Sequence, residues 1–144
     1  MKDSSKAYGR RLGVVAATIL GGLVSLPAWC QPHVIQVLAD KDSRYKIAGM
    51  AKPEITVKAG EAILLRVSAR KGKTWNRDGS IHGFTLLEMH SRNKVPGWDL
   101  ELRPGTHEFT LTAPSQPGEY EVLCTVICSD DHEGMRMKFH VVPQ

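Results

Sequence analysis

Short apolar runs that alternate with polar residues fill the chain after residue 30, and turn residues separate them. Between residues 61 and 68, apolar side chains recur at every second position as Ile63, Leu65 and Val67. This is the period of a β-strand that buries one face. The same period ends the chain, where Met137, Phe139 and Val141 alternate with basic side chains. The pattern predicts an all-β sandwich around one core.

Further sets of alternating positions complete the predicted sheets. Segments 33–38 and 55–58 are interpreted as early strands. The inward positions of the later strands are His82, Phe84 and Leu86, then Trp98, Leu100 and Leu102, then Phe109, Leu111 and Ala113, and finally Tyr120, Val122 and Cys124. The last set brings the Cys124 thiol to the core side at the end of its strand.

The first 30 residues have a different organisation. Residues 1–12 carry four basic side chains and one acidic side chain, and residues 12–26 are apolar and uncharged. This order is typical of a secretory signal, and we expect cleavage before Gln31 and a periplasmic domain at 31–144. The apolar run has about fifteen residues against the ~20 that a membrane span needs. The alternative is a retained anchor, which would hold the domain at the inner membrane.

Composition and charge then exclude some partners. The chain has 144 residues, one domain's length, and a net charge of +4. Without the first 30 residues, 15 of the 19 basic and 14 of the 15 acidic residues remain, so the net charge falls to +1. This near-neutral balance gives no indication of nucleic-acid binding.

Residues 124–135 concentrate the candidate chemistry. Cys124, Cys128, His132 and Met135 lie within twelve residues. Thiolate and thioether are soft ligands that select copper, and imidazole also binds copper. Closed zinc sites instead use four Cys or His ligands. The alternative for two cysteines in an oxidising compartment is a disulfide.

The spacing of these four residues, Cys-x-x-x-Cys-x-x-x-His-x-x-Met, is preceded by a lone histidine, His82 in Ser-Ile-His-Gly-Phe. Together these features resemble the binuclear purple-copper (CuA) domain of haem-copper oxidase subunit II and of nitrous oxide reductase. The resemblance covers most of the chain after residue 30. It implies a cupredoxin-like Greek-key β-sandwich and a centre with two copper ions.

The resemblance also implies a role for each ligand. Cys124 and Cys128 would bridge two copper ions through their sulfurs. His82 and Met135 would complete one copper, while His132 and the backbone carbonyl of Val126 would complete the other. Oxidase subunits usually have a glutamate where this chain has Val126. Valine keeps the carbonyl and lacks the carboxylate that reaches a magnesium ion there.

Two bridging thiolates would let one electron spread over both coppers, which keeps the reorganisation on electron transfer small. We therefore predict a one-electron carrier rather than an enzyme, with a redox protein such as a cytochrome or a terminal oxidase or reductase as its partner. The alternative function is copper delivery, in which the same ligands hold copper and release it to an apo-protein. Membrane contact is expected only if the first 30 residues are retained.

Two neighbouring features complete the predictions. Asp130, Asp131 and Glu133 are interpreted as a solvated acidic rim around the loop. Trp75 lies in the polar segment 69–79, where it would either fold onto the sandwich edge or face a partner.

Overall fold

The structure is a computed structural model that describes residues 31–73 and 76–144. The predicted signal segment and Trp75 lie outside the described residues. The described strands, in chain order, are β1 (His33–Asp40), β2 (Arg44–Lys46), β3 (Glu54–Lys58), β4 (Ala62–Ala69), β5 (His82–Glu88), β6 (Lys94–Leu102), β7 (Gly105–Thr112), β8 (Gly118–Leu123) and β9 (Arg136–Val142). A 3-10 turn, His132–Gly134, lies between β8 and β9.

These strands form two sheets. One has the order β2-β1-β4-β7 and the other has the order β3-β9-β8-β5-β6. The pairs β1/β4 and β3/β9 are parallel, and the other pairs are antiparallel. The second sheet matters most for the site, because β5 pairs with β8 and β8 pairs with β9. The start of β5 therefore lies beside the loop that joins β8 to β9.

The core lies between the two sheets and contains the inward positions that alternation predicted. Ile63, Leu65 and Val67 are fully buried on β4, while Met137 and Phe139 are buried on β9. Their burial confirms the predicted all-β sandwich and the role of Met137 as a core residue. Some positions are less buried than expected: Leu100, Phe109 and Leu111 are partly buried and pack against the core.

Aromatic side chains organise the centre of the sandwich. The Trp98 and Phe139 rings meet edge to face with centroids 5.3 Å apart. The Trp98 indole N–H donates to the Thr112 carbonyl oxygen at 2.9 Å, which satisfies the one polar atom of the ring. Across the described ranges, no helix is both long and apolar enough to cross a membrane.

Candidate metal centre

The candidate ligands lie at one end of the sandwich, where a strand start and a loop meet. Cys124 directly follows β8, and its N–H donates to the Met135 carbonyl oxygen at 3.1 Å. This bond closes the base of the loop formed by residues 124–135. His82 is the first residue of β5, the strand next to β8. The topology thus brings one candidate ligand from strand β5 against two candidate ligands from the loop.

His82, Cys124 and Cys128 form a compact buried cluster. One ligand atom from each residue lies within 4.8 Å of the other two. The side chains are almost fully buried, with 1%, 6% and 2% of their surface exposed. The two sulfurs are 3.5 Å apart, well beyond the ~2.05 Å of a disulfide bond. The cysteines are therefore not joined, and both sulfurs point into one space.

The hydrogen bonds of His82 leave one ring nitrogen for a ligand. Nε2 lies 3.0 Å from the Arg70 carbonyl oxygen, which can only accept, so Nε2 carries the proton. Among the buried side-chain nitrogens and oxygens of the described residues, Nδ1 of His82 is the one without a hydrogen-bond partner. A metal ion would satisfy this nitrogen, since metal-bound histidines usually donate their other N–H to a carbonyl or carboxylate.

The other predicted ligands have different positions. The Val126 carbonyl oxygen lies 3.1 Å from Cys124 Sγ, and Met135 is completely buried. His132 is half-buried and is not part of the three-residue cluster. Its Nδ1 donates to the Ser129 carbonyl oxygen at 3.0 Å, which leaves Nε2 with the lone pair. The structure thus gathers His82 and both cysteines, while His132 makes a hydrogen bond within its own loop.

The hydrogen bond between the two thiols shifts their pKa values in opposite directions. The hydrogen bond with Cys124 lowers the pKa of Cys128 against the opposing effect of burial, and His82 and the Ser43 hydroxyl lower this pKa further. Conversely, the hydrogen bond with Cys128 raises the pKa of Cys124, and burial adds to this rise. The first proton therefore leaves the pair easily and the second is held tightly. Metal binding to both sulfurs would release that remaining proton.

Gly83 lets the loop pack closely on β5. Its N–H donates to Cys124 Sγ at 3.3 Å. A Cβ atom at this position would lie 2.9 Å from both the backbone N and the Oγ1 of Thr125, too close for any real contact. Tyr45 supports the same residue from β2, because its hydroxyl donates to the Gly83 carbonyl oxygen. Burial raises the pKa of Tyr45, and the nearby cysteines raise it further.

Three polar contacts tie the loop to the sandwich. The Thr85 and Thr125 hydroxyl oxygens are 2.8 Å apart, and the Asn76 amide donates to the Ile127 carbonyl oxygen at 3.2 Å. The third contact joins the hydroxyls of Ser43 and Ser129, 2.7 Å apart. The two residues of each contact are 40–86 positions apart in the sequence, so local spacing could not predict these contacts.

The predicted acidic rim and the remaining histidines lie outside the cluster. Asp130, Asp131 and Glu133 include no buried side chain. His90 is exposed in the turn that follows β5. His107 bonds to the Arg103 carbonyl oxygen at 2.8 Å.

Comparisons with known proteins establish the fold. No protein-family model and no curated protein matches the chain. Among solved structures, a chain of a heme-copper terminal oxidase dimer is 17% identical with a TM-score of 0.54, and the alignment covers 76% of this chain and 65% of that one. This chain therefore spans just under two thirds of that oxidase chain.

Two smaller proteins match over most of their length. Auracyanin A, a "blue" copper protein from Chloroflexus aurantiacus, is 20% identical with a TM-score of 0.53, covering 78% of this chain and 100% of that one. The periplasmic domain of cytochrome oxidase subunit II from Bradyrhizobium japonicum is 16% identical with a TM-score of 0.50, covering 78% and 85%. These likenesses confirm the predicted cupredoxin-like Greek-key β-sandwich.

Proposed function

We propose that this chain is a periplasmic copper protein that carries single electrons through a binuclear CuA-type centre. The observation that carries this proposal is the buried cluster of His82, Cys124 and Cys128, in which Nδ1 of His82 lacks a partner. Two sulfurs and one imidazole suit copper better than a hard cation. Val126, His132 and Met135 are proposed to complete the ligand set, through the backbone carbonyl, the imidazole and the thioether.

The protein's contribution is to fix the ligands before the metal binds. His82 is fixed by the Arg70 carbonyl oxygen and Cys124 by the Gly83 N–H, both of which belong to the backbone of the sandwich. Copper held by these residues would supply the one-electron redox chemistry. Because rigid backbone groups orient the ligands, little rearrangement accompanies a change in charge, and this favours fast electron transfer over catalysis.

The partner and the compartment are also proposals. The similar solved structures include a heme-copper terminal oxidase and the periplasmic domain of an oxidase subunit II. These likenesses support a redox partner of the respiratory type, such as a cytochrome or a terminal oxidase or reductase. We further propose that residues 1–30 direct export of a domain formed by residues 31–144. Retention of that segment would instead anchor the domain to the inner membrane.

Copper delivery is the second candidate function, and one observation favours it. His132 lies outside the three-residue cluster. The remaining set of two thiolates and one imidazole is a soft, three-ligand site of the kind that holds Cu(I). Such a site would release copper more readily than one closed by six ligand groups.

Copper retention distinguishes the two functions. The copper-loaded protein would be reduced and reoxidised through many cycles and then passed over a desalting column, with copper per chain measured before and after. A parallel sample would be mixed with an apo-protein that binds Cu(I) tightly. An electron carrier keeps its copper in both experiments. Transfer of the copper to the acceptor within the time of mixing would contradict the carrier function and favour delivery.

A further inference from the structure

Ser43 occupies a backbone conformation that serine rarely adopts. Residues 41–43 form the three-residue connection between β1 and β2, whose flanking partners are Asp40 and Arg44. The Ser43 N–H donates to the Asp40 carbonyl oxygen at 3.1 Å, and the φ angle of Ser43 is +55°. Hairpin connections of this length favour glycine at a left-handed last position. A serine there carries backbone strain that glycine would avoid.

The side chain of this strained residue points at the cluster of candidate ligands. Ser43 is 3% exposed, and its Oγ lies 3.8 Å from Cys128 Sγ. On its other side, Oγ lies 2.7 Å from the Ser129 Oγ, in the residue that follows Cys128. A glycine at position 43 would adopt this φ angle without strain, but it would lack the hydroxyl that makes both contacts. The strain is therefore tolerated at a position where the hydroxyl reaches a candidate ligand sulfur.

Loss of the Cys128 proton on metal binding changes which groups in this chain of contacts can donate. In the thiol form, the Cys128 S–H can donate to the Ser43 oxygen. A thiolate that binds a metal has no proton, so in the contact between these two groups only the Ser43 O–H can donate. When Ser43 donates to Cys128, its oxygen is left to accept from the Ser129 O–H, 2.7 Å away. The result is a relay in which Ser129 donates to Ser43 and Ser43 donates to Cys128, each bond strengthening the next.

We propose that Ser43 is a positioning residue that tunes the candidate copper centre by hydrogen-bonding the Cys128 sulfur. This inference rests on the proposed function. A hydrogen bond to a ligand sulfur is strengthened when an added electron increases the negative charge on that sulfur. The reduced state gains more from the bond than the oxidised state, so the bond raises the reduction potential. Hydrogen bonding around a cysteine ligand tunes copper potentials in this way.

Four variants of the full-length protein test the relay. Ser43→Ala removes the hydroxyl and keeps the strain, whereas Ser43→Gly removes the hydroxyl and relieves the strain. Ser129→Ala removes the outer donor, and Ser115→Ala is the matched control because Ser115 is exposed in the β7–β8 turn. The midpoint potential and the energy of the sulfur-to-copper charge-transfer band would be measured for each copper-loaded protein. Thermal unfolding of each metal-free protein would report structural effects separately.

The relay predicts a distinct result for each variant. Both Ser43 variants lower the potential by similar amounts and shift the charge-transfer band, although Ser43→Gly is the more stable of the two without metal. Ser129→Ala lowers the potential by less, and Ser115→Ala leaves it unchanged. An unchanged potential in Ser43→Ala and Ser43→Gly would overturn the inference. So would a raised potential in Ser129→Ala, because Ser43 would then be donating to Ser129 in the unmodified protein.

Failure of this inference can be separated from failure of the proposed function. A protein that binds no copper, before any substitution, contradicts the proposed function itself. A protein that binds copper and shows a charge-transfer band, but whose potential is insensitive to both Ser43 substitutions, contradicts only the role of Ser43.

Discussion

At Gly83, the strand that carries His82 packs directly against the candidate metal loop. Its N–H donates to Cys124 Sγ, and the backbone of Thr125 occupies the space that a side chain would need. The hydrogen bond and the close packing depend on each other, because the Gly83 N–H reaches the Cys124 sulfur only if the two backbones are this close. Any side chain at position 83 should therefore disturb both the packing and the sulfur contact.

Gly83→Ala tests this close approach. The added methyl group must displace backbone atoms of Thr125, and overpacking of this kind costs about 1–3 kcal/mol. We expect a loss of this size in the free energy of unfolding of the metal-free protein, measured by urea denaturation, and weaker copper binding. The matched control is Gly134→Ala, whose Cβ would meet the flexible Arg44 guanidinium at 3.5 Å. Equal stability of the two variants would contradict the account.

At the residue scale, the sequence pointed to candidate ligands but not to the residues that support them. Cys124 and Cys128 could be proposed as candidates because their spacing is local, and His82 because a lone histidine on an inward strand position precedes that loop. Ser43 could not be identified, since it contacts Cys128 across 85 positions of sequence. A polar turn residue gives no signal of such a contact, because most polar turn residues are solvated.

Strand β5 differs from the half-buried strand that alternation predicted. His82, Phe84 and Leu86 are buried as expected, but Thr85 and Leu87 on the opposite face are buried as well. Thr85 is covered through its contact with the Thr125 hydroxyl and by Asp99, which accepts from Thr85 Oγ1 at 2.7 Å. Alternation predicts which face of a strand is buried from the strand's own sequence alone. The second face of β5 is buried by residues of the candidate metal loop and of β6, which lie outside that sequence.

The short strand β2 acts on the site through Tyr45. The Tyr45 ring meets Phe84 edge to face with centroids 5.5 Å apart, and its hydroxyl donates to the Gly83 carbonyl oxygen. This contact joins the first sheet to the start of β5 in the second sheet. Sequence periodicity did not predict β2, because three residues are too few to display a period.

Tyr45→Phe removes this link and keeps the ring. We expect a loss of about 1 kcal/mol in the free energy of unfolding, the usual net value of a hydrogen bond. Tyr120→Phe is the matched control, because its hydroxyl also donates to a backbone carbonyl, that of Gln116 at 2.9 Å. Both variants should lose similar stability in urea denaturation. Only Tyr45→Phe should also change the visible spectrum of the copper-loaded protein, and a spectrum like that of Tyr120→Phe would contradict a link to the site.

At the scale of the whole molecule, the sandwich places its candidate ligands before any metal binds. The cluster is buried, and within it the Nδ1 atom of His82 lacks a hydrogen-bond partner. A site that is ready in the folded state and lost in the unfolded chain couples metal binding to stability. A ligand at 100 times its dissociation constant adds about 2.7 kcal/mol to the free energy of unfolding.

Copper should therefore raise the thermal midpoint of unfolding. The measurement is differential scanning calorimetry with and without copper, followed by removal of copper with a chelator, which should reverse the rise. Cys124→Ser should lose the rise because it removes a proposed ligand. His90→Ala should keep it, since His90 is exposed outside the cluster. A rise of equal size in Cys124→Ser would mean that copper binds elsewhere.

The most direct test of the central claim is the copper content of the loaded protein together with its electron paramagnetic resonance spectrum. We predict two coppers per chain and a hyperfine pattern from one electron shared by two copper nuclei. One copper per chain with a mononuclear pattern would contradict the binuclear centre. A Cys124–Cys128 disulfide that binds no metal would contradict the copper site altogether.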